Sequence, residues 1–92
     1  MTEPYTVLLL LVTIGQAPFP ADIRIRSTEQ GVICLSARSA EEFHRACWVR
    51  DARSTRLEMR TFMLRSAGEY QIVVSLDGVA RDKGMIKVQE AR

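Results

Sequence analysis

His44 and Cys47 stand three positions apart, and on a helix that spacing sets an imidazole beside a thiol. Such a pair can activate a thiolate nucleophile if a third group orients the base. No orienting group is evident nearby, and Cys47 also falls on an apolar stripe, so core packing is the better reading of both. Elsewhere the chain has no Gly-rich phosphate cradle, no paired-carboxylate pattern and no metal-ligand spacing. The expectation is a protein that is not an enzyme and needs no cofactor or metal.

Cys34 is the second cysteine, 13 positions before Cys47. Spacing alone does not bring two Cα atoms within bonding range, so a disulfide stays open. Two reduced, largely buried thiols are expected, and with them a cytoplasmic setting.

Arginine is the remaining polar signal. Eleven Arg stand against two Lys, yet net charge is only +2, too little to drive strong non-specific attraction to nucleic acid or a membrane. Arg45, Arg50, Arg53, Arg56, Arg60 and Arg65 crowd a short stretch that holds only Asp51 and Glu58 as acids. In an extended chain Arg56 and Arg60 share one face, as do Arg24 and Arg26. If their strands adjoin, these four form a basic sheet face suited to phosphates or to an acidic protein surface. A solvated face balanced by Glu58 and Glu69 is the plainer alternative. Trp48, Phe62 and Tyr70 look core-directed, which leaves no stacking platform for single strands.

The elements that must position these groups are mostly strands. Ninety-two residues, 47% hydrophobic and 26% charged, make one globular domain over 1–92. Val7 to Val12 is a pure apolar run, too short to span a bilayer and lacking the basic start of a secretory signal. It reads as a strand over about 5–14 buried on both faces; were residues 1–20 a signal peptide, the chain would be secreted. Prolines 18 and 20 then break regularity. Short strands follow at Ile23–Arg26 and Val32–Ala37, and another at Met85–Gln89, reached through turn chemistry at Asp77-Gly78 and Asp82-Lys83-Gly84. Leu57 to Leu76 reads as two alternating strands about a turn at Ser66-Ala67-Gly68, a hairpin burying Leu57, Met59, Tyr70, Ile72 and Val74. Ser39 with Glu42 matches a capping box, and Ala40, Phe43 and Cys47 fall on one helical face. That spacing predicts a helix over 39–51, with a strand as the alternative that Phe43, Cys47 and Trp48 also suit.

Leu57-x-Met59, then Ala67-Gly68-Glu69-Tyr70-x-Ile72-x-Val74, resembles the E and F strands of intermediate-set immunoglobulin-like domains. Those read Leu-x-Ile, then an Asp-x-Gly-x-Tyr-x-Cys corner. The resemblance implies a β-sandwich with Met85–Gln89 as its last strand, Cys34 as the B-strand cysteine and Trp48 as the C-strand tryptophan. Ser66 stands in the place of the corner Asp and Ile72 in that of the second cysteine, so no inter-sheet disulfide forms.

The fold expected is mainly β, a small antiparallel sheet packed by one helix near 40–50, with an immunoglobulin-like sandwich as alternative. The function expected is protein binding or self-association by an accessory or regulatory domain. A weak nucleic-acid-binding protein and a secreted immunoglobulin-like recognition domain are the alternatives. The first strand needs cover on its second face, and a two-fold partner supplies it. Leu8 and Leu10, or Leu9 and Leu11, are therefore the candidate interface of a homodimer or hetero-complex. Arg24, Arg26, Arg56 and Arg60 are the candidate anion- or partner-binding residues, and no membrane is involved.

Overall fold

The computed structural model describes residues 7–10, 14–27, 29–50 and 57–90. Among these residues the chain is almost all strand: β1 (Val7–Leu10), β2 (Ile14–Gln16), β3 (Phe19–Ser27), β4 (Gly31–Arg38), β5 (Phe43–Arg50), β6 (Leu57–Leu64), β7 (Gly68–Leu76) and β8 (Val79–Gln89). They form two sheets, a three-stranded one in the order β1-β3-β6 and a five-stranded one in the order β2-β8-β7-β4-β5. Every pairing is antiparallel except β2 with β8, which is parallel.

Alternation sets the core. Ile23 and Ile25 of β3 and Leu64 of β6 are buried on the inner face of the smaller sheet. Ile33 and Leu35 of β4, Ile72 and Val74 of β7 and Ile86 of β8 are buried on the larger sheet and belong to the same cluster. With residues i and i+2 sharing a face, one hydrophobic pattern per strand supplies both a core side and a surface side. The mainly β class expected from the sequence is what the chain adopts.

The helix expected over 39–51 is absent. Residues 43–50 are β5, paired with β4 from Arg38↔Phe43 to Gly31↔Arg50. The capping-box residues are used in a hairpin loop. Ser39 Oγ accepts hydrogen bonds from the amides of Glu41 (3.2 Å) and Glu42 (3.0 Å), while the Ser39 amide donates to the Glu42 carbonyl at 2.9 Å. A serine that satisfies nearby amides caps a helix or tightens a turn equally well, and only the following residues decide which. Here His44, Ala46, Trp48 and Arg50 point inward and Phe43, Arg45, Cys47 and Val49 outward, a period of two.

The expected hairpin over 57–76 is likewise corrected. β6 pairs with β3 and β7 pairs with β4 and β8, so the Ser66-Ala67-Gly68 turn carries the chain from one sheet to the other. The inward phase of β6 is the reverse of that expected. Leu57 and Met59 are 41% and 49% exposed, whereas Phe62 and Leu64 are buried. Tyr70, Ile72 and Val74 are buried as expected.

Other boundaries shift too. Of the strand expected over about 5–14, residues 7–10 are β1 and Ile14 opens β2, while 5–6 and 11–13 lie outside the described residues; Ile14 is 60% exposed rather than buried. The Ala17-Pro18 bond is cis, and β3 begins directly after it. Pro20 sits inside β3 opposite Met63 of β6, and among the described residues the β1 pairing ends at Arg24. Asp82-Lys83-Gly84 lies within β8 rather than in a turn. Asp77 and Gly78 do turn the β7–β8 hairpin, both at positive φ (50° and 86°), the combination that suits the right-handed twist of two-residue hairpins. Asp77 also ties that turn to β4: its Oδ1 accepts from the Val32 amide at 2.9 Å and its own amide donates to the Val32 carbonyl at 2.8 Å.

Candidate functional site

The outer face of the larger sheet carries the features that point to binding. Register places Val32 beside Val49, Cys34 beside Cys47, Ser36 beside Arg45 and Arg38 beside Phe43, all outward. Across β4 and β7 the face continues through Gln71, Val73 and Ser75, and on β8 through Lys83, Met85 and Lys87. Val49 is 70%, Phe43 53% and Met85 52% exposed. The Arg38 guanidinium lies over the Phe43 ring at 5.0 Å from its centroid. The exposed cations here are Arg38, Arg45, Lys83 and Lys87, and Glu69, opposite Lys87, is the acid beside them.

Cys34 and Cys47 are not free thiols. They form a disulfide between directly opposed residues of β4 and β5, with Cα atoms 4.1 Å apart. That separation suits a closely spaced antiparallel pair. The bond lies on the outer face, so the buried, reduced pair expected from the sequence is corrected. His44 points inward and Cys47 outward on the same strand, which also removes the thiol–imidazole pairing that a helix would allow.

The inward residues of β5 close the gap between the sheets. Glu58 of β6 accepts from Trp48 Nε1 at 3.1 Å and from Arg50 at 2.5 Å. The Arg60 guanidinium stacks on the Trp48 ring at 3.8 Å from its centroid and donates to the Met59 carbonyl at 2.9 Å. This network explains the reversed phase of β6: Glu58 and Arg60 turn inward because aromatic and charged partners wait there, leaving Leu57 and Met59 outside. At the loop end, His44 stacks on Phe62 and its Nε2–H donates to Glu42 at 2.7 Å. Glu42 also accepts from the Ser66 amide, and the Tyr70 hydroxyl donates to the Ser66 carbonyl at 2.8 Å. Burial pushes the Glu42 carboxyl up, but hydrogen bonds from His44 and Ser66 outweigh it and hold it at about 2, below its ordinary 4.5. Burial raises Tyr70, and the Glu42 carboxylate adds to the shift. The arrangement clasps the β4–β5 loop to the turn between β6 and β7.

Of the four arginines expected on one face, the three that are described do not share one. Arg24 and Arg26 share the outer face of β3, where Met59 and Leu57 of β6 lie directly opposite them. Arg60 faces inward against Trp48, and Arg56 lies outside the described residues. Of the leucines expected at an interface, Leu9 is half-buried, packs against the core and donates its amide to Asp82 at 2.9 Å. Leu8 and Leu10 pair through their backbones with Arg26 and Arg24, and Leu11 lies outside the described residues.

Sequence reasoning missed Phe43, Arg45, Cys47 and Val49 as a surface set. Their signal was present, because Phe43-x-Arg45-x-Cys47-x-Val49 alternates with His44-x-Ala46-x-Trp48. Among the described residues no group of His, Cys, Asp and Glu is placed to hold a metal ion, and no helix is long and apolar enough to cross a membrane. The chain matches no family model, no curated protein and no solved structure.

Proposed function

We propose that this chain is an immunoglobulin-like β-sandwich module that binds another protein through the outer face of its larger sheet, without catalysis. The strand order supports the sandwich reading. β1-β3-β6 corresponds to strands A, B and E, and β8-β7-β4-β5 to G, F, C and C′. Tyr70, at the start of the strand that corresponds to F, bonds back to Ser66 in the manner of the family's tyrosine corner. On this alignment Cys34 and Trp48 fall on C and C′, one strand later than the sequence resemblance implies. Ile72 keeps an apolar side chain in the place of the second cysteine.

The observation that carries the function is the exposed set Phe43, Val49 and Met85 set among Arg38, Arg45 and Lys83. Large exposed apolar side chains on a sheet face, rimmed by charge, are the composition of a protein-binding patch. The sign of the rim selects the partner. A second copy docked through the same patch would set these cations against one another, whereas an acidic surface neutralises them. A disulfide in this face fits an oxidising compartment and removes the ground for expecting a cytoplasmic one.

Immobilised domain should capture a partner from native extract in a salt-sensitive manner. Phe43→Asp with Val49→Asp should abolish capture, and Met59→Asp on the opposite sheet should leave it intact. Loss of capture by Met59→Asp alone would move the binding face to the smaller sheet.

A further inference from the structure

We propose that the Cys34–Cys47 disulfide is a thiol-exchange site, at which a small monothiol of the glutathione class adds to Cys47 and releases Cys34. The chemistry is independent of the binding reading, although the bond lies in the same face. Three observations carry it.

The two sulfurs differ in access. β5 is the edge strand of its sheet and Cys47 is exposed there, while Cys34 lies on β4, half-buried between β5 and β7. An incoming thiolate therefore meets Cys47 Sγ first. They differ also in charge. Arg45 donates its guanidinium Nη2–H toward Cys34 Sγ at 3.7 Å, and a cation in that position stabilises a thiolate on Cys34. A better leaving thiolate departs faster. Finally, the bond is redundant for strand pairing. β4 and β5 are matched residue by residue from Gly31↔Arg50 to Arg38↔Phe43, and their loop is closed by Ser39 and Glu42. The hairpin has what it needs to persist when the bond opens.

The step is an exchange with no net oxidation. The attacking thiolate forms a new S–S bond to Cys47 Sγ as the Cys47–Cys34 bond breaks. The electron pair leaves on Cys34 Sγ, which is then a thiolate beside Arg45 or takes a proton from water. The reverse attack by Cys34 restores the original bond and frees the monothiol.

The test uses reduced glutathione on the intact chain, with acid quench, alkylation and peptide mass mapping. Glutathione is expected on Cys47 and the alkylating label on Cys34, with far-UV circular dichroism unchanged. Arg45→Gln should slow the exchange by about three- to tenfold at low salt, as expected for a less stabilised leaving thiolate. Arg65→Gln, an exposed cation between β6 and β7 and outside the binding face, should not. Glutathione found mainly on Cys34, no adduct at all, an Arg45→Gln rate equal to that of the unsubstituted chain, or loss of the sheet signal on exchange would each overturn the proposal.

Discussion

Glu42 shows how one side chain fastens two sheets. Its carboxylate receives the His44 ring from its own sheet and the Ser66 amide from the crossing turn, and Tyr70 holds that turn through the Ser66 carbonyl. Charge-assisted hydrogen bonds of this kind favour the ionised form, which is why the carboxyl stays near 2 in spite of its burial. A carboxyl whose folded pKa is depressed contributes stability that is fully present above its unfolded value. That contribution is lost as pH falls through the folded value. Urea midpoints should therefore drop between pH 4.5 and about 2, and Glu42→Gln should flatten that segment of the profile while lowering stability at pH 7. An unchanged profile would mean the clasp contributes nothing. Ser39 and Glu42 were legible as a paired motif, but a capping box specifies amide satisfaction rather than helix, and the choice rests with the residues after it.

At the scale of the strand, β6 decides how far alternation can be trusted. Both of its faces carry apolar residues, Leu57, Met59 and Met63 on one and Phe62 and Leu64 on the other. Hydrophobic pattern alone leaves the phase open; pairing with β3 and the partners awaiting Glu58 and Arg60 set it. Phe62→Ala should cost about 3–5 kcal/mol through lost burial and cavity formation. Met59→Ala should cost less than about 0.5 kcal/mol at an exposed site. Chemical denaturation of the two variants checks this, and equal losses would restore the phase expected from the sequence. β3, β4 and β7 were readable because the inward face of each is apolar apart from Ser27 and the Tyr70 hydroxyl. β5 was not, since Ala40, Phe43 and Cys47 mimic a core stripe at helical spacing, whereas Phe43 and Cys47 lie on the outer side of a strand.

At the scale of the whole molecule, mainly β architecture followed from strand patterning, whereas the division into two sheets did not. Local alternation marks strands but carries no record of which distant strand pairs with which, so the Ser66–Gly68 crossing looked like a hairpin. The candidate surface was hidden for a related reason. Arg24 and Arg26 share a face within β3 only, and the fold turns Arg60 inward while gathering Arg38, Arg45 and Lys83 elsewhere. What emerges is a sheet with exposed apolar side chains beside a positive rim. The claim that this sheet is the binding face is tested most directly by a 1H–15N correlation spectrum of the labelled domain titrated with the captured partner. Shift changes should cluster at Val32, Ser36, Phe43, Arg45, Val49 and Met85 and diminish as salt is added. Changes concentrated instead at Arg24, Arg26, Leu57 and Met59 would contradict it.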